Sequence, residues 1–111
     1  MSKDTLERLA ATIRKRRGED AERSYTRQLL DGGPAGCARK LGEEALETVI
    51  AGISQDESAL VSEAADLLYH LLVLLEAREV SWEKVLSELE RRMGTSGLAE
   101  KAARAGTGSA S

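Results

Sequence analysis

Five acidic residues in two helix-like stretches are the part of this sequence equipped for chemistry. Glu43, Glu44 and Glu47 form Glu-Glu-x-x-Glu, and Glu63 and Asp66 form Glu-x-x-Asp, each inside a run that is otherwise largely aliphatic. A spacing of three sets two side chains on one face of a helix. Carboxylates among aliphatic side chains are costly unless a cation sits among them. Glu44, Glu47, Glu63 and Asp66 would supply oxygen ligands only, and the whole chain holds one histidine and one cysteine. An all-oxygen set suits a hard divalent ion, Mg2+ first of all. Mg2+ keeps several waters and usually binds together with substrate phosphates, so a nucleotide polyphosphate is the natural substrate. Glu43 lies one position off the common line and is expected to orient a water or act behind the ligands. Lys40, one turn before Glu44, is placed to pair with it or to hold a phosphate.

Competing explanations fare worse. Glutamates on helices usually form a solvated, salt-bridged face, but Glu63 and Asp66 adjoin the most apolar stretch and have few Lys or Arg neighbours. A di-iron bundle needs Glu-x-x-His on two helices, whereas His70 is the one histidine and reads as a hydrogen-bonded core or interface residue. An EF-hand loop is absent. The glycines at 32–36 are not followed by Gly-Lys-Ser/Thr, so the phosphate-loop pattern fails.

The elements that must carry these acids follow from periodicity. Asp4 and Glu7 suggest a capping box for a first helix, with Leu6, Leu9, Ala10 and Ile13 on one face and Gly18 as its stop. A short helix spans about Ser24 to Leu30, and Gly32-Gly33-Pro34-Ala35-Gly36 reads as the clearest loop, with Cys37 at a loop or helix start. The third helix runs from about Ala38 to Ile53, with Leu41, Ala45, Val49 and Ile53 along one face and Leu46 and Ile50 beside them. Ser54-Gln55-Asp56 makes a turn, and the fourth helix runs from about Glu57 to Arg78. These two helices should form an antiparallel hairpin. Glu47 lies about six residues before the turn and Glu63 about seven after it, so the two acidic pairs come level. The fourth helix is apolar nearly all the way round from Ala64 to Leu75, which implies a partner subunit. Ser81 begins a fifth helix bearing Trp82, Val85, Leu86, Leu89 and Met93, stopped by Gly94. A last short helix is expected near Leu98–Arg104.

The expected architecture is therefore all-α: a small bundle of four to five helices around an antiparallel hairpin, completed by dimerisation. A length of 111 residues allows one domain, placed at 1–104, with 105–111 as a disordered tail. Residues 1–30 carry eight Lys/Arg against five Asp/Glu, and residues 31–80 carry three against ten. The acidic middle argues against a nucleic-acid partner there. The basic run Arg14-Lys15-Arg16-Arg17 suits a helix C-terminus. One cysteine excludes an internal disulfide and a cysteine-based zinc site. The N-terminus lacks the apolar core of a signal peptide, and Leu67–Leu75 is too short to span a bilayer, so a soluble, cytoplasmic protein without a membrane partner is expected.

The segments Lys40–Ala51 and Glu63–Leu75 resemble phosphoribosyl-ATP pyrophosphatase, a member of the MazG-like all-α nucleotide pyrophosphatases. The broader motif, Glu-Glu-x-x-Glu then Glu-x-x-Asp, falls at Glu43, Glu44, Glu47, Glu63 and Asp66. Ser24-Tyr25-Thr26 and the stretch from Arg91-Arg92 through Ser96-Gly97-Leu98 to Glu100-Lys101-Ala102 point to the histidine-pathway member. The resemblance implies a helical homodimer, a tetramer being the other option, that hydrolyses phosphoribosyl-ATP to phosphoribosyl-AMP and pyrophosphate with Mg2+. It further implies catalytic roles for Glu43, Glu44 and Glu47, with Glu43 as the base acting on water. Lys40, Arg91, Arg92 and Lys101 would hold phosphates, and Ser24, Tyr25 and Thr26 would line the substrate pocket. With Cys37 and His70 alone, the chain has no room for the second metal site of the fused cyclohydrolase that some relatives carry. The alternatives are a MazG-like house-cleaning enzyme acting on (d)NTPs and a non-catalytic helical dimerisation module.

Overall fold

A computed structural model describes residues 4–94 of the chain. Five helices follow one another: α1 (Thr5–Arg16), α2 (Tyr25–Asp31), α3 (Gly33–Ser54), α4 (Glu57–Ala77) and α5 (Trp82–Met93). No strand occurs among the described residues, so the all-α expectation is met. The expected helix near 98–104, Lys101 and the tail lie outside the described residues.

Local chemistry explains most of the helix ends. The Asp56 carboxylate accepts from the Ala59 N–H at 2.9 Å and so starts α4 directly after the turn. Ser24 does the same for α2, accepting from the Arg27 N–H at 3.1 Å. Asp4 and Ser81 occupy cap positions without a side-chain cap bond. Asp4 pairs with Arg8 at 3.4 Å instead, so the expected capping box does not form.

The glycine-rich stretch departs from expectation. It is helical, since α3 begins at Gly33 rather than at Ala38. Pro34 fits a first turn, where its missing N–H is not needed. Gly33 turns the chain out of α2 with a φ of 71°, a conformation open to glycine without steric cost. Packing supplies the rest. Cys37 is buried within this extra length of helix, and its thiol lies 3.2 Å from the Leu29 carbonyl of α2, to which it donates.

The α3–α4 hairpin is the backbone of the fold, and α1 and α2 pack against α4 as well. The core gathers at its open end: Ile13 of α1, Cys37 of α3, Leu72 and Val73 of α4 and Trp82 of α5, with Leu29, Leu30 and Leu86 around them. Towards the turn the hairpin loses its cover. Leu46, Val49, Ile50, Ile53, Leu60 and Val61 are all exposed, Ile53 at 82 %. By length and composition α4 as a whole could cross a bilayer, although the Leu67–Leu75 run alone is too short. In the fold it is the helix against which α1, α2 and α3 pack.

α4 ends in a Schellman turn, with the Val80 N–H donating to the Leu75 carbonyl at 2.9 Å and the Glu79 N–H to the Glu76 carbonyl at 3.0 Å. The residue at the left-handed position is Glu79, with φ 56°, where glycine is the usual occupant. Glu79→Gly is expected to stabilise the fold by roughly 0.5–1 kcal/mol, about 2–6 °C in Tm. A lower Tm in thermal unfolding would mean that the Glu79 side chain contributes more than its backbone costs.

Candidate metal centre

The two acidic pairs meet where the covered half of the hairpin gives way to the exposed half. Glu44 of α3 and Glu63 and Asp66 of α4 each bring a carboxylate oxygen within 4.8 Å of the others. Glu47 lies one turn from Glu44, outside that set of three, and interaction with its carboxyl raises the proton affinity of Glu44. Glu43 turns away: it is exposed and pairs with Lys40 at 3.3 Å. Lys40 thus pairs with Glu43 rather than with Glu44, because Glu44 points inward.

Glu44 is the strained member. Its side chain is only 13 % exposed, and its Oε2 is buried without a hydrogen-bond partner. It keeps its proton to higher pH than an ordinary carboxyl. Hydrogen bonding to Glu47 is the main cause, followed by burial and by repulsion from Glu47, Asp66 and Glu63. Glu63 is shifted the same way, first by burial and then by Glu47 and Asp66. A partnerless buried oxygen among repelling carboxylates is the arrangement a divalent cation would relieve, and the all-oxygen donors fit a hard ion such as Mg2+.

An aromatic wall backs the acids. His70 is buried, with Nε2 3.9 Å from Glu44 Oε1. Burial, followed by the nearby Lys40 charge, lowers its pKa, so it stands beside Glu44 as a neutral ring. Its ring meets Tyr69 edge-on at 5.0 Å and Tyr25 edge-on at 6.3 Å, while Tyr25 and Tyr69 are stacked 6.5 Å apart. Thr26, buried on α2, shares a 2.5 Å hydrogen bond with the Tyr69 hydroxyl. The three residues at 24–26 therefore divide their work: Ser24 caps α2, Thr26 braces Tyr69, and Tyr25 is half exposed beside His70.

Arg91 and Arg92 are not brought to this cluster by the single chain. They sit in the last turn of α5, which packs mainly on α1, and both bind Glu88, at 2.7 and 2.9 Å. That double pairing pulls the Glu88 carboxyl down to about 2. In the basic run that closes α1, Arg14 and the capping Arg17 reach Glu76 at 3.5 and 3.0 Å. Two features of the site were missed in the sequence: the brace from Thr26 to Tyr69, and Thr48, whose hydroxyl touches backbone on both arms of the hairpin. Hydroxyl residues at helical spacing are too common for either to be read from sequence.

A family model described as phosphoribosyl-ATP pyrophosphohydrolase matches residues 6–93, spanning both acidic helices and the aromatic wall. The chain belongs to that family. Curated relatives named phosphoribosyl-ATP pyrophosphatase agree with this along nearly their whole length. The Rhodobacter capsulatus protein is 59 % identical over 99 residues, covering 89 % of this chain and 96 % of its own. The Caulobacter sp. protein is 60 % identical over 101 residues, covering 91 % and 94 %. The Dinoroseobacter shibae protein is 56 % identical over 99 residues, covering 89 % and 97 %.

The raised carboxyls give a pH dependence whose sign is fixed. A carboxyl with a raised folded-state pKa binds more protons folded than unfolded, so stability falls as pH rises above the ordinary value of 4.5. Glu88, shifted the other way, acts below that value. His70, whose pKa is lowered from 6.5, gains stability as pH rises towards that value and opposes this decline. In EDTA the Tm of wild type measured against Glu44→Gln is therefore expected to fall from about pH 5 to about pH 8. An unchanged slope in Glu44→Gln would remove Glu44 as its source.

Proposed function

We propose that the chain hydrolyses the α–β phosphoanhydride of phosphoribosyl-ATP, releasing phosphoribosyl-AMP and pyrophosphate, as the second step of histidine biosynthesis. The observation that carries this reading is the acid cluster, with its partnerless buried Glu44 oxygen, in a chain of this family. Glu44, Glu47, Glu63 and Asp66 would hold Mg2+. Bound there, the ion would neutralise the triphosphate and favour in-line attack of water on the α-phosphorus. Its binding requires Glu44 to give up its proton, so uptake releases protons and strengthens with pH.

Lys40 is the cation set beside the cluster and binds a substrate phosphate. In doing so it leaves Glu43, whose freed carboxylate takes the proton of the attacking water. Tyr25 lines the pocket from α2, with Ser24 and Thr26 holding that helix end in place. Arg91 and Arg92 are engaged with Glu88, and nothing in the fold of one chain supports a phosphate role for them.

The enzyme works as a homodimer. The exposed aliphatic side chains towards the hairpin turn need cover, and a second copy with the same face supplies it. The radius of gyration, 16.3 Å, exceeds the about 12–13 Å of a compact chain this size, as expected for half of a larger assembly. It is a soluble cytoplasmic protein, since Glu63 and Asp66 in the middle of α4 oppose insertion into a bilayer.

Two experiments test these statements. Pyrophosphate release with Mg2+ should be much faster from phosphoribosyl-ATP than from any dNTP, and preference for a simple dNTP would refute the substrate. Loss of a residue behind a metal ligand costs about 10–100-fold, so Asp66→Asn or Glu63→Gln, which removes a ligand itself, should cost more than about 100-fold while sparing helicity. Separately, Ile53→Asp should shift light-scattering mass to the monomer. A dimer unchanged in mass would place the interface elsewhere.

A further inference from the structure

The carboxylates of the candidate centre come from two helices, so their spacing depends on how α3 and α4 are set along each other. Aliphatic contacts hold the helices together but tolerate small slides, because Leu, Ile and Val pack in more than one way. A hydrogen bond to one particular backbone atom does not tolerate a slide.

Thr48 makes such a contact. Its half-buried hydroxyl lies 2.8 Å from the Glu44 carbonyl on its own helix and 3.1 Å from the Glu63 carbonyl on α4. Both carbonyls belong to members of the acid cluster. Other hydroxyls make the first contact alone: Thr12 donates to Arg8 and Ser54 to Ile50, each at 2.9 Å, each exposed and each within one helix. Thr48 adds the crossing, one residue after Glu47 and level with Glu63.

We propose that Thr48 is a positioning residue, its hydroxyl fixing α3 against α4 at the setting where Glu44, Glu63 and Asp66 can reach one divalent cation. The hydroxyl has a single proton, which it donates to either carbonyl, and each carbonyl keeps a lone pair for it beside its helical bond. Thr48 touches no reacting atom. The proposal rests on the metal reading above and adds to it the part that sets the ligand geometry.

The test uses the whole chain and needs no substrate for its main readout. Mn2+ is titrated by the loss of its free-ion electron paramagnetic resonance signal, and the Tm rise on adding Mg2+ is followed in parallel. Thr48→Val keeps the shape and loses the hydroxyl, and is expected to weaken Mn2+ binding by about 10-fold or more, with the Mg2+ half-saturation of turnover rising in step. Thr48→Ser keeps the hydroxyl and should retain wild-type metal binding. Ser54→Ala removes a one-helix bond and should change nothing. Equal binding by Thr48→Val and wild type would overturn the proposal, as would Thr48→Ser losing binding. If Thr48→Val fails to fold, the Thr48→Ser result alone decides. Wild type without any Mn2+ or Mg2+ response would overturn the metal reading itself, which is a different result from a wild type that responds and a Thr48→Val that responds equally.

Discussion

Repulsion among carboxylates held close together in a partly buried place is the constraint around which this structure is arranged. Ionised side chains at such separations, with little water to screen them, raise one another's proton affinity. Glu63 is raised first by burial and then by Glu47 and Asp66, Glu44 first through Glu47 and then by burial, and Glu44 Oε2 has no partner to offset its burial. A fold built for stability alone would place leucines at these positions. Keeping the acids there makes sense when a cation completes the site, so part of the folded state's stability is deferred to binding.

The rest of the molecule holds the acids in place against that repulsion. α1, α2 and α5 cover the open end of the hairpin, and Ile13, Val73 and Trp82 anchor them. The aromatic wall stands between this core and the acids. Thr26 fixes Tyr69, and Tyr69 and Tyr25 border the neutral His70 ring beside Glu44. Beyond the acids the hairpin carries its aliphatic side chains into solvent. The site therefore lies on the boundary between the part a single chain can pack and the part it cannot.

Helices were largely legible in the sequence because their signals are local. Asp56 and Ser24 announce α4 and α2 by side-chain bonds to amides three residues on, and aliphatic periodicity does the rest. The start of α3 was not legible. Glycines and a proline argue for a loop on propensity, and that preference yields to the burial of Cys37 against α2, a contact between residues eight apart. Likewise Lys40 has acids at both three and four residues' distance, and sequence spacing cannot choose between them. The inward turn of Glu44 leaves Glu43 as its partner.

By itself the sequence determined the all-α class, the antiparallel hairpin and the meeting of acids from both helices in one oxygen-only cluster, since each follows from residue type and helical period. Tertiary structure decided what period and type leave open. It set Glu44 as the buried acid and Glu43 as the exposed one, stood His70 against Glu44, engaged Arg91 and Arg92 with Glu88, and carried the Thr48 hydroxyl across to α4. The reason is geometric. Helical spacing fixes which side chains share a face, but which face is buried, and what lies opposite it, depends on the packing of other helices.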